Sequence, residues 1–228
     1  MKPSTPLTDE PAPRDQEGNP LFQNPEAYLE LRQKPGFLGA MKVWSERRAL
    51  FSCLDQLSGV KTMLDIPCGP GRAFPYYHER GFHVVGLDFS PQMSGAATAF
   101  REKLGIPGIV CRGDAFRLPF EDNALDTVVS VRFSYYFDRQ KRVELYKELS
   151  RVSKQGFVVQ VKINYSLHSI SRKLRGKNKN KDKFMQSKRE IHEEFAAAGL
   201  KVRRIAPLSL LGSDRAFVLV LPTTPPTV

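Results

Sequence analysis

The 228-residue sequence contains only three cysteines, one tryptophan and no apolar run of the roughly eighteen residues needed to cross a bilayer. The missing apolar run argues against a membrane-spanning helix. Cys53, Cys68 and Cys111 follow no metal-ligand spacing, and an odd number cannot pair completely into disulfides. The expectation is therefore a cytoplasmic protein in a reducing compartment, with no structural metal. The N-terminus lacks the apolar core of a secretory signal. Disorder of the whole chain is excluded by a hydrophobic content of 41% against 26% charged residues.

Acidic residues are scarce in one region. The formal net charge is +11. Residues 172–189 hold nine Lys/Arg and a single acid, Asp182, a net of +8 that leaves +3 for everything else. A nucleic-acid-binding domain with a basic face would spread its charge more widely. Here a basic insert interrupts a nearly neutral scaffold.

Hydrophobic periodicity predicts alternating strands and helices. Strands are expected at 62–66, 83–87, 109–112, 125–132 and 157–163, and helices at 72–79, 91–104 and 138–152. Pro75 is expected in the first turn of its helix, where a missing amide proton costs little. Nearly continuous apolar strands separated by helices point to a mostly parallel sheet covered on both faces. Before the first strand, residues 37–57 carry a helical period, and 27–33 read as a short helix. Beyond the fifth strand, 165–175 reads as a short amphipathic helix. Ser187 and Glu190 have capping-box spacing, and strands are expected at 201–205 and 215–221, joined by a turn at 211–214.

The chemistry concentrates in LDIPCGPGR, Leu64–Arg72, and in Asp88. Asp65 ends the first strand, and Gly69 and Gly71 leave backbone free for a close ligand approach. The helix that follows offers amide donors at its N-terminus. Asp88 ends the second strand, where a carboxylate can accept ribose hydroxyl hydrogen bonds, at the edge where open α/β sheets bind ligands. The segment lacks the Lys-Ser/Thr ending of a P-loop.

With these residues the chain resembles the class I S-adenosylmethionine-dependent methyltransferases over 60–220. LDIPCGPGR is similar to their glycine-rich first motif, with Pro67 where glycine is common. Asp88 is similar to their ribose-binding acid, GDAFRLPF (Gly113–Phe120) to the segment bordering adenine, and LDTVVSVRFSYYF (Leu125–Phe137) to the fourth-strand region facing cofactor and acceptor. The resemblance implies an α/β, Rossmann-like three-layer sandwich with a mostly parallel seven-stranded sheet and an antiparallel final strand. It implies S-adenosylmethionine as cofactor, bound through Asp65, Pro67, Gly69, Gly71, Asp88, Phe89, Asp114, Ala115 and Phe116. Arg47 and Arg48 are candidates for the methionine carboxylate, or else solvent-facing charges. The implied organisation is a tail at 1–20, a helical cap at 21–59, a methyltransferase domain at 60–221 with its basic insert at 164–189, and a tail at 222–228.

The acceptor is less legible. Arg132, Tyr135 and Tyr136 follow the fourth strand and are the candidate acceptor contacts. Arg132 suits an acidic group, and the tyrosines suit stacking or a hydrogen bond. Tyr135, Tyr136 and His168 are the candidate catalytic groups, with His168 a base if the insert closes over the site. The sequence lacks the NPPY/DPPY signature of many amino-directed nucleic-acid methyltransferases. The expected acceptor is small and acidic or lipid-linked, with peripheral membrane contact through 165–189. RNA methylation and non-catalytic cofactor binding are the alternatives.

Overall fold

The computed structural model describes Pro25 and residues 37–166, 185–209 and 213–223. The expected helices at 27–33 and 165–175 and the turn at 211–214 fall largely or wholly outside these residues, as do His168 and most of the basic insert. Helix α1 (Phe37–Leu54) precedes β1 (Thr62–Asp65), α2 (Phe74–His78), β2 (His83–Asp88), α3 (Pro91–Lys103), β3 (Gly108–Arg112) and β4 (Thr127–Ser130). A 3-10 turn (Ser134–Tyr136) then leads to α4 (Arg139–Arg151), β5 (Phe157–Lys162), α5 (Lys188–Ala197), β6 (Leu200–Pro207) and β7 (Arg215–Pro222).

The seven strands form one sheet in the order β3-β2-β1-β4-β5-β7-β6. Neighbours from β3 to β5 pair in parallel, whereas β7 runs antiparallel to both β5 and β6. This is the expected Rossmann-like sheet with one reversed strand. Successive side chains on a strand point to opposite faces. Along β5, Phe157, Val159 and Val161 join one buried cluster with Leu145, Tyr146 and Leu149 of α4 and with Ile191 and Phe195 of α5. Val158 joins the other, with Leu50, Cys53 and Leu54 of α1, Phe74 and Tyr77 of α2, and Ala97 of α3. The two clusters are the two faces of the sheet. Helix α1 thus contributes to the core itself.

Local chemistry sets several boundaries. The Ser90 hydroxyl accepts from the Met93 amide at 3.3 Å, and Pro91 opens α3. Asp138 accepts from the Lys141 amide at 2.9 Å and starts α4. Ser187 and Glu190 form a reciprocal capping box at the start of α5. Pro75 does sit at the beginning of α2. Strand β4 stops at Ser130, earlier than the apolar run suggested, because Arg132 adopts a left-handed backbone with φ of 59° and turns the chain out of the sheet. No helix among the described residues is long and apolar enough to cross a membrane.

Candidate functional site

The strand order reverses between β1 and β4, and a cleft opens there at the strand ends, with α1 as its outer wall. The loop after β1 is held by backbone and by Asp88. The Cys68 amide donates to the Leu87 carbonyl at 2.9 Å. The Gly69 amide donates to one Asp88 oxygen at 2.8 Å, and the Ser90 amide to the other at 2.9 Å. One carboxylate therefore joins the glycine-rich loop to the start of α3. The Ile66–Pro67 peptide bond is cis. Gly71 has φ of 77°, and a Cβ there would lie 3.1 Å from the Phe74 ring and 3.3 Å from the Ala97 backbone. The absent side chain at Gly71 lets the loop pack on α2 and α3.

Two buried acids face the cleft beside each other. Burial first, and then the neighbouring Asp88 charge, push Asp65 up to about 8, against the pull of Arg72. Burial also raises Asp88, opposed by the amides of Ser90 and Gly69. A third acid, Glu46 of α1, behaves differently. Burial pushes its carboxyl up, but Arg132, Arg72 and the Gln160 hydrogen bond outweigh that and hold it below the usual range. Glu46 accepts from Arg132 at 2.7 and 3.0 Å and from Gln160 Nε2 at 3.1 Å, and Arg72 stands 3.8 Å away.

Of the sequence candidates, Asp65, Pro67, Gly69, Asp88, Arg47 and Arg132 line this cleft. Arg47 also stacks on Tyr76 at 4.0 Å and pairs with Glu79 at 3.0 Å. Arg48 is exposed and turns toward Trp44, 5.3 Å from its ring. Sequence reasoning missed Glu46, Arg72, Tyr77 and Gln160. Tyr77 is buried on the cleft wall, and its hydroxyl has no hydrogen-bond partner among the described residues.

The segment read as the adenine border lies next to Asp88, because the Gly113 amide donates to the Asp88 carbonyl at 3.1 Å. Asp114 accepts from the Phe116 amide at 2.9 Å, Ala115 is buried, and Phe89 is partly exposed beside Arg112. Phe116 packs edge-on to Phe137 at 5.1 Å, and Phe133 does so at 4.9 Å. Tyr135 is buried against Tyr136, with ring centroids 5.1 Å apart. The Ser134 hydroxyl fixes this loop to the Gln160 carbonyl at 2.9 Å.

Residues 64–159 match the methyltransferase domain family. A demethylmenaquinone methyltransferase of Thermobifida fusca is 32% identical over 121 residues, which are 52% of this chain and 49% of that protein. A sterol 24-C-methyltransferase of Gibberella zeae is 32% identical over 97 residues, 41% of this chain and 25% of that protein. The chain thus spans about half, or less, of these relatives' length. The crystal structure of magnesium protoporphyrin IX methyltransferase from Synechocystis PCC 6803 with bound SAH superposes with a TM-score of 0.65 at 14% identity, covering 83% of this chain and 89% of that one. The family match runs from Leu64 into β5, and the fold is shared across most of the length of a solved methyltransferase. Residues 64–159 thus carry the methyltransferase-domain match, and the chain has the fold of solved class I S-adenosylmethionine-dependent methyltransferases.

Proposed function

We propose that the chain binds S-adenosylmethionine at the ends of β1 and β2 and transfers its methyl group to a small-molecule acceptor. The observation that carries this reading is the Asp88 carboxylate, which receives the Gly69 and Ser90 amides at the cleft and keeps lone pairs for vicinal hydroxyls. The donor set fits a ligand with an amino-acid end and a ribose. Arg72 suits the carboxylate, while Asp65 and the Tyr77 hydroxyl, which has no hydrogen-bond partner among the described residues, suit the ammonium. Asp114, Ala115 and Phe116 stand beside Asp88 for the adenine, and Phe89 adds an exposed ring near them.

The cofactor supplies a sulfonium-activated methyl group when bound. The chain's own part is to orient the acceptor and keep water away. The Phe116, Phe133 and Phe137 rings pack against one another after β3 and β4 and are assigned in this reading to the apolar border of the acceptor. Arg132 is held by Glu46, so its role is to fix the wall between α1 and the loop after β4. Tyr135 and Tyr136 remain the acceptor-side residues of this reading. The two relatives described above are named for demethylmenaquinone and a sterol, which supports a small acceptor.

The test is transfer of labelled methyl from S-adenosylmethionine into separated small-molecule, lipid and RNA fractions. Label is expected in the small molecules, with lipids as the finer outcome. Label confined to RNA rejects the acceptor assignment, and no label in any fraction rejects transfer.

A further inference from the structure

The outer face of α1 is apolar and cationic. Met41, Trp44, Arg48 and Ser52 follow one another at intervals of three and four, which sets them along one side of the helix. Trp44, the chain's one tryptophan, is 60% exposed, and Met41 is 49% exposed. The opposite side, with Val43, Glu46 and Leu50, lines the cleft. Arg48 leans over the Trp44 ring at 5.3 Å. Arg204 of β6 extends the stripe by donating to the Ser52 hydroxyl at 3.3 Å, and Lys42 is exposed beside Met41. Lys42, Arg48 and Arg204 form no ion pair among the described residues. The single acid of α1 is Glu46, which turns inward to Arg132 and Gln160, and β6 contains no acid. Helix α1 descends from the ligand-binding edge of the sheet: Glu46 reaches Arg132 just beyond β4, whereas the Ser58 amide, past the other end of the helix, donates to Gln155 ahead of β5. Met41 and Trp44 therefore stand toward the edge where the cleft opens.

We infer that the outer face of α1 docks on an anionic lipid bilayer, with Trp44 and Met41 in the interface and Lys42, Arg48 and Arg204 against the headgroups. Helices that lie in a bilayer interface combine apolar side chains with Lys and Arg in this way. Tryptophan suits the headgroup level, because its ring is apolar and its indole N–H finds a polar partner there. Each cation near an anionic leaflet adds an attraction that salt screens. A second copy of the chain is the poorer occupant: self-pairing sets these cations against one another in a chain of formal charge +11. A nucleic acid engages the cations but gives Met41 no apolar partner. Docking brings the helix that walls the cleft to the bilayer. Delivery of a lipid-dissolved acceptor to that cleft rests on the proposed methyltransferase reading; the docking does not.

The experiment adds vesicles to the full chain and reads tryptophan emission, which reports Trp44 alone. Equimolar phosphatidylcholine and phosphatidylglycerol vesicles are expected to shift the emission to the blue, and brominated acyl chains in them to quench it. Vesicles of phosphatidylcholine alone are expected to bind at least about tenfold more weakly. Joint Lys42→Glu and Arg48→Glu substitution is expected to weaken the response about tenfold or more, and Trp44→Ser to weaken vesicle flotation by a similar factor. Ile109→Ser removes a comparably exposed apolar side chain from β3, at the edge of the sheet opposite β6, and is expected to leave binding intact. Melting temperature reports that each variant is folded. The inference is overturned if the mixed vesicles do not bind, if they bind without quenching of Trp44 by brominated lipid, or if the folded α1 variants bind as the parent does. It is also overturned if the emission is already blue before vesicles are added, because Trp44 is then covered by its own chain or a second copy, or if RNA shifts it and vesicles do not. Vesicle binding without S-adenosylhomocysteine binding rejects the cofactor reading and leaves the docking surface standing.

Discussion

Arg132 donates to both carboxylate oxygens of Glu46, at 3.0 and 2.7 Å, across 86 positions of sequence. The contact ties α1 to the loop after β4, and both side chains are mostly buried. Removing one member of such a pair leaves an uncompensated charge. Glu46→Ala is expected to lower the unfolding free energy by about 3 kcal/mol in urea denaturation. A loss below about 1 kcal/mol, the range of an exposed pair, contradicts this account.

Asp65 gives a dependence on pH. Its folded-state value is raised from 3.8 to about 8, so the folded protein holds a proton that the unfolded chain releases. Its contribution to stability is complete below the unfolded value and is lost as pH rises through about 8. Asp65→Asn carries no such proton. Its melting temperature relative to the parent is expected to rise between about pH 4 and about pH 8 and to level off above that, and parallel curves contradict the assignment.

A second buried pair lies away from the cleft. Arg142 of α4 donates to Glu194 of α5 at 2.7 and 2.6 Å, and to the Phe137 carbonyl at 2.8 Å. Glu194→Ala is expected to cost about 3–5 kcal/mol. Replacing both partners with Met at 142 and Leu at 194 is expected to recover most of that loss, because no charge is then left stranded. Denaturant midpoints of the three proteins check both statements; a double variant no better than the single one contradicts them.

The parts of the fold legible in the sequence were those set locally. Ser187 with Glu190 announced a helix start because its cap bonds close within three residues. The strands around Leu64, Val85 and Val158 were legible as apolar runs between turns. The site was half legible. Asp65 and Asp88 stand at strand ends in a spaced motif, whereas Glu46 lies in the run Glu46-Arg47-Arg48, where successive residues on a helix point about 100° apart. The sequence marks no clean apolar stripe there to say which charge turns inward. The fold turns Glu46 toward Gln160 and Arg132, which come from β5 and the loop after β4. Arg72 was overlooked for another reason: it follows Gly71 and read as the first residue of a helix that begins at Phe74.

The central claim is that Asp88 and the glycine-rich loop it holds form the cofactor seat. Calorimetric titration of S-adenosylmethionine into the parent chain and into folded Asp88→Ala tests it most directly. The account expects saturable one-site binding to the parent and a loss of about tenfold or more in the variant. Absence of binding to the folded parent, or equal affinity in the two proteins, contradicts it.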